Sequence, residues 1–202
     1  MAVRRKTEAK RQDILEGAAR VFQKRGFTDA TIDDVAREIG GSKATIYNYF
    51  ASKDQLLKEV LITGYRPVMA HFRGLLAGEG SARARLAAFA SVYLAAINNE
   101  YGVQTLRLMA SEVGRSDLGA QIAAEPELDI WRSVEATIAE AIAQREIDDA
   151  GAAHLTATFR ALIHGGSHFD LVTGRSKSGG DPATESDAAV ETLFRAYRLE
   201  EK

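Results

Sequence analysis

Between residues 31 and 53 the chain is punctuated more tightly than anywhere else. Thr31, Ser42 and Ser52 are helix-starting hydroxyls ten or eleven residues apart, with Gly40-Gly41 between the first two. A side-chain oxygen just ahead of a helix accepts from the orphan amides of its first turn, and glycine supplies the reversal between helices. Asp34 follows Thr31 by three residues and Gln55 follows Ser52 by three, the spacing of a reciprocal capping box. Helices confined this way run for barely two turns. Ile32, Val35, Ala36 and Ile39 give the first an apolar face, and Ile46 and Phe50, four apart, pin the second to the same core. Upstream, Ile14, Ala18, Val21 and Phe22 fall on one face of a longer helix. Gly26 ends that helix, and Lys24 and Arg25 suit its negative end. Two short helices across a glycine turn, braced by a longer one, describe a helix-turn-helix.

The rest of the chain keeps a helical period and shows neither an alternating strand pattern nor an internal repeat, so the class is all-α. Leu56, Leu57, Val60 and Leu61 continue the stripe on a fourth helix, which Pro67 should kink or break near Tyr65. Further helices are expected from Ser81 to about Asn99, from Tyr101 to Val113, from Trp131 to Arg145 beyond a break at Pro126, and from Asp149 to Val172. Residues 173–186, with Gly174, Gly179, Gly180 and Pro182, read as a linker-like loop before a last helix carrying Val190, Leu193, Phe194 and Tyr197.

Charge divides unevenly along this plan. Residues 1–53 hold 11 Lys and Arg against 7 Asp and Glu, a net of +4, whereas the remainder holds 15 against 21, a net of -6. A basic head on an acidic body fits a polyanion partner at one end only. The Leu86–Ile97 apolar run is about half a bilayer span. The basic start at Arg4, Arg5 and Lys6 is not followed by the apolar stretch a secretory signal needs, and there are no cysteines, so a soluble cytoplasmic protein is expected, with no membrane partner. The chain lacks a phosphate-binding glycine loop and a GxSxG elbow, so no catalytic residues are assigned and no enzyme is expected.

The second short helix carries the chemistry. With Ile46 and Phe50 turned inward, Lys43, Thr45, Tyr47, Asn48 and Tyr49 present ammonium, hydroxyl and amide groups outward, the groups that phosphate oxygens and base edges bind. The runs from Thr31 to Gly40, Gly41 to Phe50 and Ala51 to Leu57, with Ile14, Ala18, Phe22, Gly26 and Phe27 ahead of them, resemble the DNA-binding signature of the TetR repressor family. The resemblance covers about Arg11 to Leu61. It implies a three-helix DNA-binding domain over residues 1–53 and a helical effector-binding and dimerisation domain over 54–202. The DNA-contacting set is then Thr31, Ser42, Lys43, Ala44, Thr45, Tyr47, Asn48, Tyr49 and Lys53. Arg4, Arg5, Lys6, Lys10 and Arg11 form a basic arm, either following the DNA or an unspecific tail.

For the body the resemblance is loose, and function there rests on analogy. It implies a homodimer through the last two helices and a pocket among the central ones. Ala161, Gly165, Leu193, Phe194 and Tyr197 are assigned to the dimer seam, the first two because small residues four apart allow close approach. Phe72, Phe89, Tyr93, Met109, Trp131 and His168 are assigned to an effector pocket, with ordinary core packing as the competing reading for each. His164 and His168 have the spacing of a helical metal pair but no third ligand, so neither metal nor cofactor is assigned. The expected function is a regulator, a repressor released from a palindromic operator by an unknown small molecule. The alternative is a dimeric DNA-binding regulator with no pocket.

Overall fold

The computed structural model describes residues 7–112, 117–125, 129–165, 167–177 and 179–198, the side chains of 108–112, 118, 119 and 123 apart. Arg4, Arg5, Lys6, Arg115, Pro126 and Gly166 lie outside the described residues, as does the side chain of Met109. Among those described, all regular structure is helical: α1 (Glu8–Arg25), α2 (Ile32–Glu38), α3 (Lys43–Tyr49), α4 (Lys53–Leu76), α5 (Ala82–Asn98), α6 (Glu100–Glu112), α7 (Leu118–Ala123), α8 (Trp131–Ala143), α9 (Ala152–His164), α10 (Ser167–Thr173) and α11 (Pro182–Ala196).

The head is ordered by its caps. Thr31 accepts from the Asp34 amide while the Asp34 carboxylate accepts from the Thr31 amide, closing the expected box. Ser42 accepts from the Thr45 amide at 3.1 Å and Ser52 from the Gln55 amide at 3.0 Å. The return half of the last pair is displaced by one residue, since Gln55 accepts from the amide of Ala51 rather than that of Ser52. Gly26, at φ 77, closes α1 in a conformation that costs a side-chain-bearing residue energy. An apolar cluster gathers Ile14, Ala18, Phe22, Val35, Ile46 and Phe50 with Leu56, Leu57, Val60 and Leu61 of α4 and Ile122 of α7. A second cluster begins at Met69 and Phe72 and takes in the buried faces of α5, α8, α9 and α11. The long helix α4 serves both.

Three expectations need correction. Pro67 does not break α4, which runs unbroken for 24 residues. An interior proline costs about 3 kcal/mol, but buried Leu61 and Ile62 on one side and Met69, Phe72 and Leu76 on the other hold both halves against neighbours. The stretch expected as one helix from Asp149 to Val172 is two, α9 and α10, because Gly165 leaves the helix at φ -68, ψ 161. The expected loop over 173–186 is shorter, since α11 starts at Pro182, where proline's missing amide costs nothing, under an Asp181 cap.

Candidate nucleic-acid interface and the aromatic core of the body

Helix α3 is held from below by Ile46, fully buried, and Phe50, 2% exposed. One face therefore points away from the head. Ser42, Lys43, Ala44, Tyr47 and Asn48 lie exposed on it, with Lys43 and Tyr47, and Ala44 and Asn48, paired one turn apart. Tyr47 is 47% exposed, a large ring held on the outer face of α3. Thr45 is half-buried, and its hydroxyl lies 2.9 Å from that of Ser42, within the cap that starts its own helix.

Lys43 on this face, and the remaining expected contacts around it, are already engaged within the chain. The Lys43 ammonium meets Asp33 of α2 at 2.9 Å, and this partner raises its pKa. Tyr49 is half-buried, and its hydroxyl accepts from the amide of Thr7 at the start of α1, 2.9 Å away. Thr31 spends its hydroxyl on Asp34, whose carboxyl is held below its ordinary pKa chiefly by that bond. Lys53 lies 4.3 Å over the Phe27 ring and donates to the carbonyl of Thr28 at 3.3 Å. Lys10 and Arg11 are not part of an arm: both lie in α1, Lys10 against Asp13 and Arg11 against Glu59 of α4 at 2.5 Å. Arg11 also lies over the ring of Phe50, so it braces α1 against the end of α3. Nothing in the local pattern marks that role, which depends on α4 passing beneath.

In the body, most of the residues expected to line a pocket meet each other. Phe72, Phe89, Tyr93 and Trp131 form a chain of rings with centroids 5.3–6.2 Å apart. Phe72 and Phe89 are essentially fully buried. His164, considered above only as one of a histidine pair, joins them: its Nε2 is 2.9 Å from the Tyr93 hydroxyl and its ring 5.7 Å from that of Trp131. His168 sits beside it and contacts the Asn98 side-chain oxygen through Nδ1 at 2.8 Å. The other polar atom of that amide, Nδ2, is buried without a partner. Burial, reinforced by His168 and Arg160, lowers the His164 pKa to about 4, and burial raises that of Tyr93. Among the described residues no three side chains are grouped to hold a metal ion.

The residues expected at a dimer seam separate into two sets. Ala161 and Gly165 are exposed on α9 and at its end. Leu193 and Phe194 are instead buried inside their own chain, in the cluster that α11 shares with α5. The apolar face of α11 turns inward, so its outward face is Ala188, Thr192 and Arg195. Tyr197 is half-buried, with its hydroxyl 2.9 Å from Nε2 of His154.

Residues 14–60 match the family described as bacterial regulatory proteins, tetR family. Over 56 residues the chain is 41% identical to the HTH-type transcriptional regulator YfiR of Bacillus subtilis, a stretch that spans 27% of each protein. In whole fold it is similar to a TetR-family transcriptional regulator of Mesorhizobium loti, with a TM-score of 0.78 and 17% identity over 96% of this chain and all of the other. It is also similar to the flavonoid-responsive regulator FrrA, with a TM-score of 0.72 and 25% identity over 96% of this chain and all of that one. No described helix is long and apolar enough to cross a membrane. The capped head and its outward α3 face fall within the match over residues 14–60, so it is this segment of the chain that is similar to the tetR family of bacterial regulatory proteins.

Proposed function

We propose that the chain is a ligand-responsive DNA-binding transcriptional regulator. Residues 1–53 bind DNA, and residues 54–202 dimerise and receive an effector. The observation that carries this reading is the outer face of α3, where Tyr47 stands 47% exposed beside Lys43 and Asn48 on a helix anchored by buried Ile46 and Phe50. Such a helix fits the major groove with its polar side outward. Thr31, Ser42, Ala44, Thr45, Tyr49 and Lys53 frame it, the caps and the Lys53 bracket setting its angle. Two heads on a homodimer then address the halves of a palindromic operator. The exposed stripe of Ala161 and Gly165, with the outer face of α11, forms the seam.

The effector enters among Phe72, Phe89, Tyr93, Trp131 and His168, and binding there shifts the population of head spacings away from the one that fits DNA. That FrrA is flavonoid-responsive fits a ring-lined site. The close mutual packing of Phe72, Phe89 and Tyr93 favours a second reading, in which the cluster is a core and the regulator has no site there. Selection of retained genomic fragments followed by footprinting tests the DNA function: two protected half-sites about one helical turn apart are expected, and Tyr47→Ala should abolish protection while leaving the melting temperature unchanged. Retention of no fragment over random DNA would refute it. For the effector site, Trp131→Phe should raise the effector concentration that releases operator. A lowered melting temperature with an unchanged response would assign the cluster to the core.

A further inference from the structure

The head and the body do not close completely on one another. Between them lies a cavity of about 570 Å³, within the range of small-molecule sites, whose floor includes Phe22, Leu57 and Leu61 and whose rim includes Arg25, Gln104 and Arg107. Its walls belong to three parts of the regulator: the end of α1 and the turn after it in the head, α4 between the domains, and α6 in the body. It is separate from the ring cluster of Trp131 and Tyr93, none of whose members lines it.

Its charge is unbalanced. Arg107 donates to the main-chain carbonyls of Leu171 and Val172 at 2.6 and 2.9 Å, acceptors that carry no net charge. Arg25 reaches Asp34 only at 3.6 Å, and that carboxylate is closer to Arg37, at 3.0 Å. Asp29 is the acidic side chain on the lining, against the two arginines. An apolar floor under a rim with net positive charge selects a molecule with a flat hydrocarbon body and an anionic group at one edge.

We infer that this cleft is a second ligand site, for an aromatic organic anion, placed to wedge the head at a fixed angle to the body. A molecule gripped by Arg25 and Phe22 on one side and by Gln104 and Arg107 on the other binds only while those walls hold their separation. Its binding energy therefore discriminates among head orientations directly, without passing through the body's core. The consequence for DNA rests on the reading above; the binding itself does not.

The test uses the full chain and two fluorescent naphthalene probes, 1-anilinonaphthalene-8-sulfonate and its uncharged relative N-phenyl-1-naphthylamine. The sulfonate should bind once per chain. Arg25→Gln should weaken it about tenfold, the loss of one charge-assisted contact; Gln104→Glu should weaken it several-fold and Gln104→Lys tighten it. The uncharged probe should respond to none of these changes, and Trp131→Phe should leave sulfonate binding unaltered. Gln104 is an exposed α6 residue bonded, among the described residues, to Glu100 one turn earlier, so its variants should preserve the fold, which their melting temperatures check. Sulfonate affinity unmoved across the charge series, or lost in Trp131→Phe, would overturn the site. Sulfonate binding that leaves operator affinity unchanged would overturn the wedge.

Discussion

The hydroxyl of Tyr49 accepts a hydrogen bond from the amide of Thr7 at 2.9 Å, joining the last turn of α3 to the residue that caps α1. Thr7 is itself the cap, its side chain accepting from the amide of Lys10 at 3.3 Å, so the bond ties the entry of the first helix to the helix that presents Tyr47 and Asn48. If α3 meets DNA as proposed, Tyr49 should act on binding through the placement of α1. Tyr49→Phe keeps the ring in the head's core and deletes the acceptor. We expect about 1 kcal/mol of lost stability, amide exchange accelerated over residues 7–11, and weaker operator binding without altered sequence preference. A changed preference at one base pair would show that Tyr49 reads a base directly.

Lys43 and Asp33 make a second prediction. Their 2.9 Å pair joins α3 to α2 in the free protein, and both side chains are more than half exposed, so it adds little to stability. On DNA the ammonium is expected to exchange the carboxylate for a phosphate. If a dimer meets roughly eight phosphates, log affinity should fall against log salt with a slope near about -7, and Lys43→Ala should reduce that slope by about two per dimer. Asp33→Asn, which frees the lysine in advance and removes a negative charge near the backbone, should tighten binding. An Asp33→Asn protein that bound more weakly would mean that the pair positions α3 rather than competing with DNA.

What was legible in the sequence was the chemistry that acts within one turn. Thr31 with Asp34, Ser42 and Ser52 start their helices where their spacing required, because a capping oxygen needs only the amides two or three residues ahead of it. Ile46 and Phe50 went inward for the same local reason. What failed was decided at longer range. Pro67 survives inside α4 because packing on both sides of it outweighs a local defect, and Lys10 and Arg11 are helical because Thr7 caps ahead of them and Glu59 waits opposite. The inward turn of Leu193 and Phe194 depends on where α5 lies, which no periodicity in α11 encodes. In the body's core, Trp131, Tyr93 and His168 were identifiable as unusual side chains, whereas the junction of Tyr93 with His164 needed two helices to meet.

His164 gives the pH dependence a sign. In the folded chain burial lowers its pKa to about 4, from an ordinary 6.5, with His168 and Arg160 acting in the same direction, and the Tyr93 hydroxyl meets its Nε2. The unfolded chain takes up the proton first as pH falls, so stability is fully present above pH 6.5 and is lost progressively from there to about 4. His168, also lowered by burial, adds in the same sense. The melting temperature should therefore fall as pH drops through that window. His164→Gln, which keeps a polar partner for Tyr93 but cannot titrate, should flatten the fall without abolishing it. A pH profile unchanged by His164→Gln would mean that the imidazole is solvated and protonates freely in the folded state.

The last prediction separates the two sets of residues first assigned to the dimer seam. Ala161 is exposed on α9, so within a single chain a larger side chain there meets only solvent. Leu193 is fully buried against its own chain's core. If α9 and the outer face of α11 form the proposed seam, Ala161→Leu should leave the protomer folded but hold two chains apart, because a packed crossing cannot absorb three extra carbons without separating its helices. Gly165 is the poorer site for this experiment: a Cβ there would already lie 3.2 Å from the carbonyl oxygen of Ala161, so strain within one chain would blur the result. Leu193→Ala should do the opposite, lowering stability by about 2–5 kcal/mol through a cavity in the protomer while leaving the chains able to associate. Sedimentation equilibrium and thermal melting, measured on both variants, read the two effects separately. Expected are a folded monomer for Ala161→Leu with operator affinity reduced towards that of one head, and a destabilised dimer for Leu193→Ala. A normal dimer from Ala161→Leu that binds operator as tightly as the parent would remove α9 from the seam.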